Sequence, residues 1–172
     1  MKIFFFIPSL EKGGIERSLS RISRKLIGLG WDVTLLTNEL SPEGKSYFEN
    51  SIKIIQVETP FENKKSLFFQ LLNNFLLFIK FRRIINNNKP KLVLAAKNFP
   101  LAILLKKFSK NNFKLILREA VDPHVAASIQ RNYISERIIL YIKKMLYPKS
   151  DRIIAISRGV KDSLVDKLAI DS

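Results

Sequence analysis

Residues 2–17 read KIFFFIPSLEKGGIER, and their reading decides the fold. The run KIFFFI (2–7) has no polar alternation, so as a strand it must be covered on both faces, as in a parallel sheet flanked by helices. It stops at Pro8-Ser9, and Gly13-Gly14 follow. From there Ile15, Leu19, Ile22, Leu26 and Leu29 recur every three or four residues, which marks one face of a helix. Gly28 and Gly30 end it. Met1-Lys2 and the apolar run begin like a leader peptide, but the run meets Pro8, Glu11 and Lys12 too soon and reads better as a buried strand.

The same alternation continues outward. Residues 31–37 (WDVTLLT) and 52–57 (IKIIQV) are strands, separated by a polar stretch containing Pro42 and Gly44. Residues 64–88 form the longest helical candidate, apolar almost all round except for a stripe through Gln70, Asn73 and Asn74. Strands are predicted at 91–95 (KLVLA), 114–117 (KLIL) and 152–156 (RIIAI), and helices at 100–108, 133–147 and 159–168. Strands alternating with helices imply right-handed crossovers. The expected fold is α/β, a doubly wound Rossmann-like parallel sheet with helices on both faces, forming one domain over residues 1–172.

Composition narrows the partners. The 172 residues are 47% hydrophobic and 26% charged, with 30 Lys and Arg against 15 Asp and Glu, a net charge of +15. A chain of this make-up folds, and its charge calls for a polyanionic partner: nucleic acid, an acidic membrane leaflet or phosphorylated substrates. A composition skewed toward Lys, Asn and Ile is the other source of the same charge. No cysteine is present, which excludes disulfides and thiolate metal sites, and the single histidine, His124, excludes a multi-histidine metal centre. The greasy segment 66–79 falls short of the ~20 residues a spanning helix needs. With aromatic residues along 67–81 and Lys64, Lys65, Lys80, Arg82 and Arg83 at its ends, the segment 64–83 reads as a helix with one face packed and the other edge against lipid. Basic residues near an anionic leaflet each contribute ~1 kcal/mol.

Ligands in such sheets bind beyond the carboxyl ends of the strands, where strand order reverses. That places candidates at 9–17, 96–99, 118–124 and 157–158. Gly13 and Gly14 stand where a loop enters a helix, so backbone N–H groups and the positive helix end favour an anion; a tight strand-to-helix turn is the bland alternative. The string is neither G-x-G-x-x-G nor a P-loop. Glu16 suits the positive helix end and a structural ion pair, while Arg17 is placed to reach an acceptor phosphate. Asn98 is a candidate acceptor contact. Arg118, Glu119, Asp122 and His124 form the densest polar cluster, suited to sugar hydroxyls or phosphate; an ion pair from Arg118 to Glu119 or Asp122 that fixes the loop is the alternative. No catalytic residue is singled out.

GGIER (13–17), LIGLGWDVTLLT (26–37), REAVDP (118–123) and SDRIIAISRGVKDSL (150–164), taken in order, resemble the N-terminal domain of glycosyltransferase family 4. The resemblance implies a GT-B enzyme, two Rossmann-like domains facing across a cleft, that transfers sugar with retention and needs no metal or other cofactor. The N-terminal domain receives a glycolipid or polysaccharide acceptor, and a C-terminal domain holds the nucleotide sugar. Gly13 and Gly14 carry over onto the loop beside the donor diphosphate, and Ser157-Arg158 onto the hinge side. Asp171-Ser172 falls about where the family chain crosses to its donor domain, so the expectation is half of a catalytic machine. The function expected is sugar transfer to a lipid-linked or polysaccharide acceptor on the cytoplasmic, inner face of the cell membrane, as in lipopolysaccharide or other surface polysaccharide assembly. The alternative is a non-catalytic subunit that recruits the acceptor for a separate donor-binding chain. Nucleic acid is not expected, since no recognition motif accompanies the charge.

Overall fold

The computed structural model describes residues 1–48, 52–60, 67–121 and 133–168. Six parallel strands form the main sheet: β1 (Lys2–Phe6), β3 (Asp32–Thr37), β5 (Lys53–Gln56), β6 (Leu92–Ala95), β7 (Lys114–Glu119) and β8 (Arg152–Ala155). Their order, β5-β3-β1-β6-β7-β8, is doubly wound: the chain builds outward from β1 in one direction, then returns to the other side of β1. A second, two-residue parallel ladder joins β2 (Ser9–Leu10) to β4 (Glu39–Leu40). The helices are α1 (Gly14–Gly28), α2 (Pro42–Ser46), α3 (Leu67–Asn88), α4 (Phe99–Phe108), α5 (Tyr133–Leu146) and α6 (Arg158–Leu168), with a 3-10 turn at Tyr147–Lys149.

The pleat sorts each strand between two cores. Ile3, Phe5, Val33, Leu35 and Leu94 pack with Leu19 of α1. Phe4, Phe6, Leu36, Val93, Leu115 and Leu117 pack on the opposite face with α3, α4 and α6. Phe4, Phe5 and Phe6 are all fully buried, which is why the strand shows no alternation. On the second face Phe6 meets Phe81 of α3 edge to face, ring centroids 5.2 Å apart, a geometry that contributes ~1 kcal/mol beyond area burial. Leu77 and Ile85 complete the buried stripe of α3.

The sequence-predicted strands and helices recur within two residues at each described end, residues 64–66 of the long helix lying outside the described residues; β7 runs on to Glu119 where a strand over 114–117 and a loop from 118 were expected. The reason is the edge partner: Arg118 and Glu119 stand opposite Ile154 and Ala155 of β8 and continue the ladder. The β2–β4 ladder and α2 also lie outside the sequence prediction, because two-residue strands have no period to read. Gly44 lets α2 come down on the Leu10 carbonyl, where any Cβ would collide. Ser41 caps that helix by accepting from the Gly44 N–H at 2.9 Å.

Candidate functional site

The winding reverses between β1 and β6, and the loops that follow these two strands face each other there. The β1 loop is bolted down first. The Pro8 carbonyl accepts from the N–H groups of Asn38 and Glu39, both at 2.8 Å, and from the Thr37 hydroxyl at 3.1 Å. The chain then enters α1 at Gly13, whose extended backbone forms the N-cap with no side-chain hydrogen bond.

The positive end of α1 is already occupied by a carboxylate of the chain itself. Glu16, third residue of the helix and almost wholly buried, curls back so that its Oε2 lies 2.6 Å from where a Gly13 Cβ would stand. Lys97, from the loop after β6, reaches across to donate to Glu16 Oε1 at 2.8 Å and to the Ser9 carbonyl at 3.0 Å. This cross-strap ties the two halves of the sheet together at the reversal point. Gly14 has open space around it, with nothing within 4 Å of a hypothetical Cβ, so backbone there is accessible to a ligand. Arg17 is exposed, its guanidinium 5.8 Å from the centroid of the Tyr47 ring, and does not line the cleft described next.

That cleft, of about 460 Å³, opens between the ends of β6 and β7, with Ile15, Lys97 and Asn98 on one side and Glu119, Lys143 and Tyr147 on the other. Glu119 is buried, and the Tyr147 hydroxyl donates to its Oε2 while Lys143 Nζ lies 3.6 Å from the same oxygen. Burial, reinforced by the charge of Glu119 and the hydrogen bond to it, holds the Tyr147 phenol far above its usual pKa, so the hydroxyl stays a donor. Asn98 stands at the cleft rim in the left-handed region (φ 50°), caps α4 by accepting from Leu101 N–H at 3.4 Å, and so has a structural duty as well.

Of the two ion pairs that stood as the alternative, Arg118–Glu119 does not form, and Arg118–Asp122 lies outside the described residues. Adjacent residues of a strand point to opposite faces, so Glu119 turns toward Tyr147 while Arg118 turns toward α1, where Nη2 donates to Ser18 Oγ at 2.9 Å. Arg118 is buried, its Nη1 has no partner, and desolvation lowers its pKa. Asp122 and His124 lie outside the described residues. The structure thus gathers Gly13, Gly14, Asn98 and Glu119 around the strand ends, and adds Lys97, Lys143 and Tyr147. Of these three only Lys97 had a readable signal, its place directly after a buried strand. Among the described residues no three His, Asp or Glu side chains cluster as metal ligands.

Comparison with known proteins agrees with this geometry. The sequence profile of Glycosyltransferase Family 4 matches residues 12–172. A curated protein of Campylobacter jejuni subsp. jejuni, N-acetylgalactosamine-N,N'-diacetylbacillosaminyl-diphospho-undecaprenol 4-alpha-N-acetylgalactosaminyltransferase, is 26% identical over 171 residues, covering 98% of this chain and 45% of that protein. The chain therefore spans a little under half the length of the curated relative it matches. Among solved structures, the apo form of the lipopolysaccharide outer core galactosyltransferase WaaB superposes with a TM-score of 0.68 at 15% identity, over 99% of this chain and 43% of that one. Sucrose-phosphate synthase from Thermosynechococcus elongatus gives 0.69 at 14% identity, over 95% and 44%.

Proposed function

The chain belongs to glycosyltransferase family 4, and from that premise we propose that it is the acceptor-side, N-terminal half of a GT-B enzyme. In this reading a sugar passes, with retention and without a bound metal, from a nucleotide-sugar donor to a lipid-linked acceptor in surface polysaccharide assembly. The donor is held by a second Rossmann-like unit facing the strand ends. The observation that carries the reading is Glu119: a buried carboxylate on the cleft wall, oriented through Oε2 by Tyr147 and Lys143, and suited in chemistry to accept from a sugar hydroxyl. Gly14 offers its exposed backbone N–H at the mouth of α1 for a donor phosphate, which there meets Glu16 and its partner Lys97, the pair that already occupies the helix end.

A lipid-linked acceptor is supported by the name of the Campylobacter relative, whose substrate is a diphospho-undecaprenol. Action at the inner face of the membrane is supported by the exposed Phe68, Phe75, Ile79 and Phe108 beside Lys80 and Lys107. Among the described residues no helix is long and apolar enough to cross a membrane, so attachment would be peripheral.

The test is transfer from nucleotide sugars to a prenyl-diphosphate-linked sugar, with the chain alone and with a donor-binding polypeptide, in the presence of EDTA. Expected are product only with both parts, retained anomeric configuration by NMR, and loss of at least a hundredfold in rate for Glu119→Gln. Transfer by the chain alone, inversion, or abolition by EDTA would each overturn the corresponding element. Acceptor binding without transfer for any donor partner would favour a recruiting subunit.

A further inference from the structure

Alongside the cleft runs a second concavity, of about 390 Å³, between α3 and α4. Asn74, Phe75 and Phe78 line it from α3, and Leu101, Leu104 and Phe108 from α4. Both helices follow strand-to-helix crossovers on the same face of a parallel sheet and run away from the strand ends, so these side chains meet turn by turn. Phe75, Leu104 and Phe108 are 58%, 42% and 49% exposed, an amount of apolar surface that folding has left uncovered. At the lower end Phe78 and Phe108 meet edge to face with centroids 6.0 Å apart, and Arg82 Nε donates to the Phe108 carbonyl at 2.6 Å, closing the concavity. At the upper end it does not close: Asn98 and Pro100 line both this groove and the cleft that holds Glu119.

Charge restricts the occupant further. Neither helix carries an Asp or Glu, whereas Lys80, Arg82, Arg83 and Lys107 lie along them, with Lys106 paired to Asp151, and the cleft above contributes Lys97 and Lys143, each beside a carboxylate, Glu16 and Glu119. A surface apolar in its floor and positive at its rim, with ammonium donors at its outlet, fits a molecule that is a hydrocarbon at one end and an anion at the other. One groove between two helices holds one chain, which favours a single-chain lipid over a diacyl one.

We propose that the α3–α4 groove seats the first units of a prenyl diphosphate, chain along Phe75 and Leu104 and diphosphate at Asn98, facing Lys97 and Lys143. The assignment rests on the glycosyltransferase reading and deepens it: the groove selects the lipid carrier of the acceptor, and its nine-residue wall from Pro100 to Phe108 spans about 12 Å, eight rises of about 1.5 Å. Affinity then grows with chain length, by up to about fourfold per methylene buried, and levels off once the chain outruns the groove.

The full chain is titrated calorimetrically with inorganic pyrophosphate and with geranyl, farnesyl and geranylgeranyl diphosphate below their aggregation limits. The expected result is tightening along the series. Phe75→Ser and Leu104→Asn, both at exposed positions and checked for fold by circular dichroism, weaken geranylgeranyl diphosphate at least tenfold and leave pyrophosphate unchanged. Equal affinity along the series, or wild-type affinity in both variants, overturns the proposal. So does loss confined to vesicles of phosphatidylglycerol, which would make the surface a membrane contact rather than a chain site. Failure of sugar transfer with chain-length dependence intact would remove the enzymatic reading and leave the groove standing; transfer without chain-length dependence would do the reverse.

Discussion

The two faces of the sheet begin alike and finish differently. Beneath α1, Phe5, Leu35 and Leu94 pack against Leu19, and the exposed side chains along the helix are Arg17, Arg21, Arg24 and Lys25, with Ile22 beside them. Beneath α3 and α4, Phe6, Val93 and Leu115 pack against Phe81 and Leu105, yet Phe75, Ile79, Leu104 and Phe108 remain exposed above that core. The first face leaves little apolar surface over, Ile22 on α1 and Leu29 just past its end. The second has a surplus, and it lies beside the cleft that holds the buried carboxylate of Glu119. Apolar surface that folding does not use is where a ligand or a bilayer finds its place.

Substitutions that separate needed from surplus apolar groups test this contrast. Phe81→Ala removes a fully buried ring and should lower unfolding free energy by about 3–5 kcal/mol in urea titration; a loss under 1 kcal/mol would mean that the second face is as loosely held inside as it is outside. Lys97→Met leaves the Glu16 carboxylate buried without its cation and should cost about 3 kcal/mol, the low end for a broken buried pair because Lys97 is itself partly exposed. Tyr147→Phe removes the donor to Glu119 and should cost about 1–2 kcal/mol, together with most of the acceptor affinity under the proposed function.

A smaller effect is expected at Asp151, between the 3-10 turn and β8. Burial alone would raise its pKa, but hydrogen bonds from Lys106 and the Leu115 N–H, with the charges of Lys106 and Lys114, outweigh it and hold the carboxyl below its usual value. The folded pKa is the lower one, so this stabilisation is complete above the unfolded-state value of about 3.9 and is lost as pH falls through the folded value. Asp151→Asn should therefore flatten the acid limb of a stability–pH curve below about pH 4, and an unchanged acid limb would remove Asp151 from the account. Least of all, Phe75→Ser should shift stability by under about 0.5 kcal/mol while weakening binding to anionic vesicles; a large stability loss would show that its ring belongs to the core after all.

Much of this was legible in the residues. KIFFFI predicted a strand buried on both faces, and all three phenylalanines are fully buried. The spacing of Ile15 to Leu29 predicted α1 almost to its ends, and GGIER with AISRGV pointed to the family. The site was legible in position, at the strand ends, but not in its pairings. Arg118 and Glu119 are neighbours in sequence, and their pairing was one form of the alternative reading, yet Arg118 bonds Ser18, 100 residues away, and Glu119 bonds Tyr147, 28 residues away. Glu16 was read correctly as half of an ion pair, but its other half is Lys97, at a separation of 81 residues.

Sequence by itself determined which segments are strands and helices, and that the strands lie in a sheet covered on both sides, because periodicity and unbroken apolar runs are local consequences of backbone geometry. Only the tertiary structure decided which side each polar residue of a strand faces and whom it meets. That depends on the register between β7 and β8 and on where the winding reverses beside β1, both set by contacts between residues far apart in the chain. The uncovered groove is of the same kind: α3 alone reads as apolar almost all round, and only its placement beside α4 leaves a channel that opens on the cleft.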